Sequence, residues 1–468
     1  MLFSRFAHKT VNGETVAYFN SLRLRPVFLP VETARDVETL FPRAQAEQAT
    51  SSSTAADKCK DAIEALRQAK VLIESADYDD KVLEYVLSTL HPPYVQIAYF
   101  ILSDLCNFGC KYCFIRNDMA SDYRQQNMTM EVATKGIEMF ARLVARDAAR
   151  FNEDKSIIFY GGEPLLNGPV LRSLILQIQE YKKTNRLPQK LQVSLVTNGS
   201  LITPEIADFL KQHDVGVGIS IDGDAAATNS CRCYADGRPV FPDVLKAITT
   251  CQKAGVNLSL SVTLTEQSVV DFDRTLKTLL DIAPNSIGFN MIVTDKHFSV
   301  PDWYNEKVSA CMVRAFEEFR QRGIPEDRIM RKATAFSESR VYPFDCGATG
   351  GNQIVVAPDG RVGICHGYLA ERKYFVTSVD DTAFDPQSDP VYQEWAKRTP
   401  LRMPECQTCP ALGICGGGCP MHAEKNTGSL WGIDSRFCVH AKATLEWLIW
   451  DVFKTINNST DGSEEPTW

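Results

Sequence analysis

Gln96-Ile-Ala-Tyr-Phe-Ile-Leu102 runs through Ser-Asp-Leu into Cys106-Asn-Phe-Gly-Cys110-Lys-Tyr-Cys113. The first seven residues are mostly apolar and carry β-branched and aromatic side chains, which predicts a strand buried in a parallel sheet. The next stretch sets three cysteines in the spacing CxxxCxxC. Three thiolates in so short a loop suit three irons of one 4Fe–4S cube and leave the fourth iron open to a chelating ligand. Structural zinc takes four ligands, usually as two separated pairs, and no second pair belongs to this loop. A loop of free thiols is the remaining reading.

Segments of the same strand-like character recur at 156–160, 191–196, 215–221, 258–264 and 286–293. Helix signals lie between them. Residues 129–148 put Ile137, Phe140, Leu143 and Val144 on one face with Thr129 as N-cap, and 169–182 begin at Pro169. Thr203-Pro204-Glu205 starts another helix, and a further one covers 268–282. Strand–helix alternation of this kind implies a parallel α/β barrel or open sheet, with ligands gathered at the C-terminal ends of the strands.

Motifs fall at those ends. Gly161-Gly162-Glu163-Pro164 follows the second strand, Thr197-Asn198-Gly199 the third, and Ser220-Ile-Asp222-Gly223 closes the fourth. Each alone is an ordinary turn. In this order, with CxxxCxxC after the first strand, they resemble the radical S-adenosylmethionine (SAM) superfamily. The resemblance implies an α/β fold with a partial (β/α)6 TIM-like barrel. It also implies a SAM-binding 4Fe–4S cluster on Cys106, Cys110 and Cys113, with Gly161, Gly162 and Glu163 receiving the amino group of SAM. The SxDG run is similar to that of sulfatase-maturating relatives, where the serine and an arginine twelve residues on contact SAM; here those are Ser220 and Arg232, beside Asp222. A solvated loop arginine is the plain alternative. Tyr112 is expected near the adenine. The implied chemistry is reductive cleavage of SAM to a 5′-deoxyadenosyl radical that abstracts a hydrogen atom from an unactivated C–H bond.

A second array follows: Cys346, Cys365, Cys406, Cys409, Cys415, Cys419 and Cys438, spaced C-x13-G-x4-C, then C-x2-C-x5-C-x3-C, then C, with Gly360 as the glycine. Paired zinc ribbons would also use CxxC pairs. The whole pattern resembles the SPASM domain of radical SAM enzymes. The resemblance assigns Cys406, Cys409, Cys415 and Cys438 to an outer auxiliary 4Fe–4S cluster and Cys346, Cys365 and Cys419 to an inner one. Relatives that complete the inner cluster use a cysteine just before the first of the seven. Here Arg340 and its neighbours stand there, so three cysteine ligands and an open or otherwise filled iron are expected, for three clusters in all. Cys59, Cys251 and Cys311 read as inert thiols, while Cys231 and Cys233 flank Arg232.

On this reading the chain divides into an N-terminal α+β region (1–93), the barrel (94–300), a helical connector (301–345), the cysteine-rich region (346–438) and a C-terminal helix at 440–456 with a disordered tail. The first region opens with strand-like runs at 16–19 and 22–29. A low-complexity loop follows at 45–57, then helices near 59–75 and 79–91, closed by Pro92-Pro93. It is either a barrel-capping extension or a leader-recognition region of winged-helix-like outline. In the second case an exposed strand such as 16–29 would pair with a leader peptide.

Three functions compete. The line Ala357-Pro-Asp-Gly-Arg-Val-Gly-Ile-Cys365-His366 resembles maturases of ribosomally made peptides, relatives of those that form thioethers and cyclophanes. That resemblance implies a precursor peptide as partner, an external flavodoxin- or ferredoxin-type reductant, and an oxidative crosslink (thioether, C–C or C–O) as product. In sulfatase-maturating enzymes an aspartate follows the corresponding cysteine and removes a proton; His366 stands here, a candidate base. Sulfatase maturation is the second function, and a non-catalytic multi-cluster electron carrier the third. The latter leaves GGEP and SIDG without purpose.

Composition agrees. The 468 residues carry a net charge of −8, which argues against reading nucleic acid through a basic face. No apolar run of eighteen residues exists, and the N-terminus lacks an apolar export region. Fifteen clustered cysteines then point to metal or redox use at a cytoplasmic address.

Overall fold

A computed structural model describes residues 1–41, 58–116, 119 and 124–459. The expected loop at 45–57 and the last nine residues of the tail lie outside these.

At the centre is a sheet whose six parallel strands are β6 (Ile97–Ser103), β7 (Ser156–Gly161), β8 (Gln192–Thr197), β9 (Val215–Ile221), β10 (Leu258–Leu264) and β11 (Ser286–Met291), side by side in chain order. Three strands from the cysteine-rich region extend it. β12 (Gln353–Val356) pairs parallel to β6, then β13 (Arg361–Gly363) and β14 (Phe375–Ser378) add antiparallel. The sheet is open at both edges, a partial barrel.

These strands are not apolar on both faces. One face carries Phe100, Ile157, Phe159, Leu195, Val217, Ile219, Leu260, Val262 and Phe289, all buried in the main core that the helices share. Each such side chain contributes roughly 1.5–3 kcal/mol. The other face carries Tyr99, Tyr160, Ser194, Gly216, Gly218, Ser220, Ser261, Gly288 and Asn290, all half-buried. Ile158 and Val196 share it, but small and polar residues at most of its positions leave room along that face. The alternation was visible in Val-Gly-Val-Gly-Ile-Ser-Ile and Leu-Ser-Leu-Ser-Val-Thr-Leu.

Thr129 and Thr203 cap helices Met130–Ala145 and Pro204–Gln212 as expected, each accepting a backbone N–H. The 268–282 helix is two: Glu266–Val270 behind a Thr265/Ser268 capping box, then Phe272–Ile282 after a break at Asp271. Helices Tyr304–Gln321 and Asp327–Ser337 follow the sheet. The last helix, Ser435–Ser459, is longer than its apolar stripe predicts and takes in the start of the tail. Leu445, Leu448 and Ile449 are buried while Ile456 is exposed. No helix among the described residues is long and apolar enough to cross a membrane.

In the N-terminal region β1 (Leu2–Phe3) pairs with β5 (Leu72–Ile73), and a three-stranded antiparallel sheet has the order β2 (Ala7–Asn12), β3 (Thr15–Asn20), β4 (Val27–Pro30). Helices Val31–Leu40, Lys60–Gln68 and Asp77–Ser88 accompany it. Two expectations are corrected here. Residues 16–29 are not one exposed strand: β3 is central, buried and hydrogen-bonded on both sides, and the chain turns before β4. The helix of 59–75 stops at Gln68 because Leu72–Ile73 extend to pair with β1. This sheet docks on the cysteine-rich region. Phe6, Leu22 and Leu83 pack with Leu401 and Leu412, and Phe19 and Leu24 with Ile414 and Leu448.

Candidate active site and auxiliary cysteine sites

The cysteine loop leaves β6 and is anchored on two sides. On one, Gly162 and Glu163 donate their backbone N–H groups to Ser103 and Leu105 carbonyls, both at 2.8 Å. The approach is so close that a Cβ on Gly161 would stand 2.2 Å from the Ser103 oxygen, and one on Gly162 2.3 Å from that of Leu105. Gly161 also has φ +151°, so both positions exclude a side chain. On the other side, residues 231–235 run along the loop: Gly109 N–H bonds Cys233 O at 2.8 Å, Lys111 N–H Cys231 O at 2.9 Å, and Ala235 N–H Asn107 O at 3.1 Å. Cys231, the end of helix Ala225–Cys231, and Cys233, in the turn after it, thus belong to a supporting segment.

Glu163 is fully buried. Its carboxylate accepts from Leu165 N–H at 2.9 Å, Thr197 hydroxyl at 2.8 Å and Asn198 N–H at 2.8 Å. Three of roughly four acceptor sites are therefore used inside the protein. The side chain is first a brace between the ends of β7 and β8, with one acceptor direction left for an ammonium. Burial raises its pKa to about 6. The Thr-Asn-Gly turn belongs to the same network: Asn198 Nδ2 bonds Asn107 Oδ1 at 2.9 Å and points to Cys106 Sγ at 3.9 Å.

Asp222 is fully buried at the end of β9. It accepts the Tyr112 hydroxyl at 2.7 Å and Arg232 Nε at 2.9 Å. Arg232 is 8% exposed, and its guanidinium lies 5.5 Å from the Tyr112 ring centroid. It is not a solvated loop residue. Among the described residues no acceptor is hydrogen-bonded to its two terminal nitrogens, which keeps a fork available for a carboxylate. Tyr112 stands between Arg232 and Phe298, whose ring meets it edge-on at 6.2 Å. The Ser220 side chain lies on the open face of the sheet.

The seven C-terminal cysteines form two groups. Cys365 is within electrostatic range of Cys346 and Cys419, and Cys438 of Cys406, Cys409 and Cys415. No cysteine forms a disulfide. Among the described residues no three His, Cys, Asp or Glu side chains converge as a single-ion site requires; a cluster, in which each iron takes its own thiolate, spreads them wider. Burial pushes Cys106, Cys406 and Cys419 up to about 11 and Cys110 and Cys438 up to about 12, so these thiols need a metal's charge to ionise. Backbone N–H groups of Phe108, Arg116 and Gly367 point at the sulfurs of Cys106, Cys113 and Cys365 at 3.4, 3.5 and 3.4 Å. Donors aimed at sulfur favour thiolates. The residues fit iron–sulfur clusters.

Between the two ends of this machinery lie side chains the sequence did not single out. Tyr160 neighbours Cys106, Cys110 and Cys113, and Tyr99 neighbours Cys346 and Cys365. His366 packs against both, 4.6 Å from Tyr99 and 5.1 Å from Tyr160, and against Phe114 at 6.1 Å. Among the described residues no hydrogen-bond partner reaches its buried Nδ1, and burial lowers the imidazole to about 4. Both tyrosines were hidden inside strand signals, where they read as core.

Comparison with known proteins places this geometry. Residues 100–279 match the Radical SAM superfamily. The radical SAM cyclopropyl synthase TigE of Paramaledivibacter caminithermalis is 28% identical over 378 residues, covering 76% of this chain and 74% of that protein. A serine-type anaerobic sulfatase-maturating enzyme of Klebsiella aerogenes is 23% identical over 334 residues, 68% of this chain and 77% of that one. The structure of Streptococcus suis SuiB bound to precursor peptide SuiA superposes with a TM-score of 0.54 at 15% identity, covering 93% of this chain and 99% of that one. The strand order, the motifs at the strand ends and the family match agree: residues 100–279 match a radical SAM domain, and domains of that family use SAM and a 4Fe–4S cluster.

Proposed function

We propose that this radical SAM enzyme is a maturase of a ribosomally made precursor peptide. It would hold three 4Fe–4S clusters and install an oxidative crosslink. The observation that carries the reading is the placement of Tyr99, Tyr160 and His366 on one face, between the 106–113 cysteines and the Cys346/Cys365/Cys419 group. A substrate lying on that face sits between a centre that removes a hydrogen atom and one that accepts an electron, as a net oxidation requires. When bound, SAM with its cluster supplies the hydrogen-abstracting radical, and the auxiliary clusters an electron sink.

The chain's own residues do the rest. Arg232 offers its terminal nitrogens to the SAM carboxylate, Tyr112 and Phe298 provide ring surface, and Asp222 holds Tyr112 and Arg232 in register. Ser220 meets SAM from the open face. His366 Nδ1 takes the proton that the substrate loses as the new bond closes. The N-terminal sheet binds the leader of the precursor. Its usable edge is β2, because β4 ends in Pro30, which has no N–H to donate. The SuiB likeness, which extends over 93% of the chain, supports the peptide reading.

The test incubates the reconstituted enzyme with SAM, reductant and candidate short precursor peptides. Expected is a peptide lighter by two hydrogens and resistant to aldehyde reagents, with His366→Gln still forming 5′-deoxyadenosine but little product. An aldehyde-reactive product on a sulfatase-derived peptide would favour the second reading instead.

A further inference from the structure

Arg398 follows helix Pro390–Lys397 and is fully buried. Its guanidinium spends its donors on backbone carbonyls: Nε on Leu430 at 2.5 Å, Nη1 on Gly417 at 2.9 Å and Nη2 on Gly432 at 2.9 Å. Among the described residues no carboxylate lies within ion-pair distance. Other buried cations nearby are paired: Lys332 with Asp345 at 3.2 Å, and Arg436 with Asp434 at 2.8 Å.

The place of Arg398 is particular. Gly417 is the middle of Cys415-Gly-Gly-Gly-Cys419, where the chain passes from the four-cysteine group to the three-cysteine group. All three glycines have left-handed φ, +70°, +80° and +67°. A Cβ on Gly417 would meet Arg398 Nη1 at 3.4 Å. Gly432, the third anchor, leads into Asp434, which accepts the Cys419 N–H at 3.1 Å. Cys419, Asp434 (already paired with Arg436), Cys346 and Cys406 lie within electrostatic range of the guanidinium.

A buried cation without a counter-ion costs several kcal/mol, and carbonyl dipoles offset only part. Thiolate-held clusters on both sides would supply the missing negative charge. Resting on the reading of two auxiliary clusters above, we propose that Arg398 is their shared counter-charge and the positioning residue of the joint between them. A fixed positive charge stabilises the more negative, reduced state, so it raises both auxiliary potentials together.

The test uses the full chain, reconstituted without oxygen, with iron and sulfide measured before an EPR-monitored redox titration in the absence of SAM. Arg398→Met is expected to keep its iron and to lower the reduced-to-oxidised ratio of both auxiliary signals at fixed potential about tenfold, about 59 mV for one electron. The signal of the 106–113 site should not move. Arg398→Lys, which keeps the charge and loses most of the fork, should titrate like the wild type. Should the Met variant lose iron, the Lys variant decides alone: wild-type potentials support the proposal, and a tenfold shift overturns it. A fully loaded Met variant with unchanged auxiliary potentials overturns it as well, while leaving the three-cluster reading intact. Wild-type protein with no iron beyond the first cluster overturns both.

Discussion

The cysteines of the 106–113 loop and those between Cys346 and Cys438 are held by different means. The first three come from one loop, fixed by backbone hydrogen bonds to Gly162 and Glu163 on one side and to residues 231–235 on the other. The seven others come from distant segments, and buried charged side chains gather them. Lys332 bonds the Cys415 carbonyl at 3.2 Å and Asp345 at 3.2 Å. Asp434 accepts the Cys419 N–H, pairs with Arg436 and lies 3.0 Å from His422 Nδ1. A site drawn from one loop needs only its backbone anchored. A site assembled across the chain needs long polar side chains, and each becomes costly once its partner is removed.

The contrast is broken most directly at the cysteines. Cys113→Ala should abolish 5′-deoxyadenosine formation, whereas Cys419→Ala should keep it and lose product; equal loss in both would erase the distinction. Next in size, Asp434→Asn leaves the Arg436 guanidinium uncompensated in a buried site. Thermal or denaturant unfolding should show a loss of about 3–5 kcal/mol. At the SAM site, Arg232→Lys keeps the charge and loses the fork. Equilibrium binding should show SAM affinity weaker by roughly 10- to 100-fold with iron content unchanged. Unchanged affinity would make Arg232 a partner of Asp222 only.

The smallest effect is a pH dependence. Folding raises the Glu163 pKa from 4.5 to about 6, so its contribution to stability is full below 4.5 and is lost as pH rises through about 6. The stability difference between wild type and Glu163→Gln should therefore shift against the wild type by up to about 2 kcal/mol between pH 4.5 and 7. A flat difference would mean that the three hydrogen bonds to the carboxylate outweigh its burial.

Much of the fold was legible because the six strands are short runs with apolar residues at every second position, bounded by turn residues, and Thr129 and Thr203 cap where their patterns begin. The grouping of the cysteines was legible only through family resemblance; nothing local in Cys346 or Cys438 says which thiols they meet. Illegible were the contacts that depend on tertiary register. Thr197 and Asn198 reach Glu163 across two strands. Tyr99 and Tyr160 face His366 rather than the core, and Arg398 closes on carbonyls from Gly417 to Gly432. Residues 16–29 read as an exposed strand because a central strand of a small sheet and an edge strand share the same apolar pattern.

The central claim is that three iron–sulfur sites share one chain and that the first of them cleaves SAM. It is tested most directly by anaerobic reconstitution of the full protein, with iron, zinc and sulfide measured per chain and 5′-deoxyadenosine assayed after dithionite and SAM are added. The account predicts about twelve irons with matching sulfide, and SAM cleavage that Cys113→Ala abolishes. Zinc in place of iron, with no 5′-deoxyadenosine from a folded protein, would contradict it.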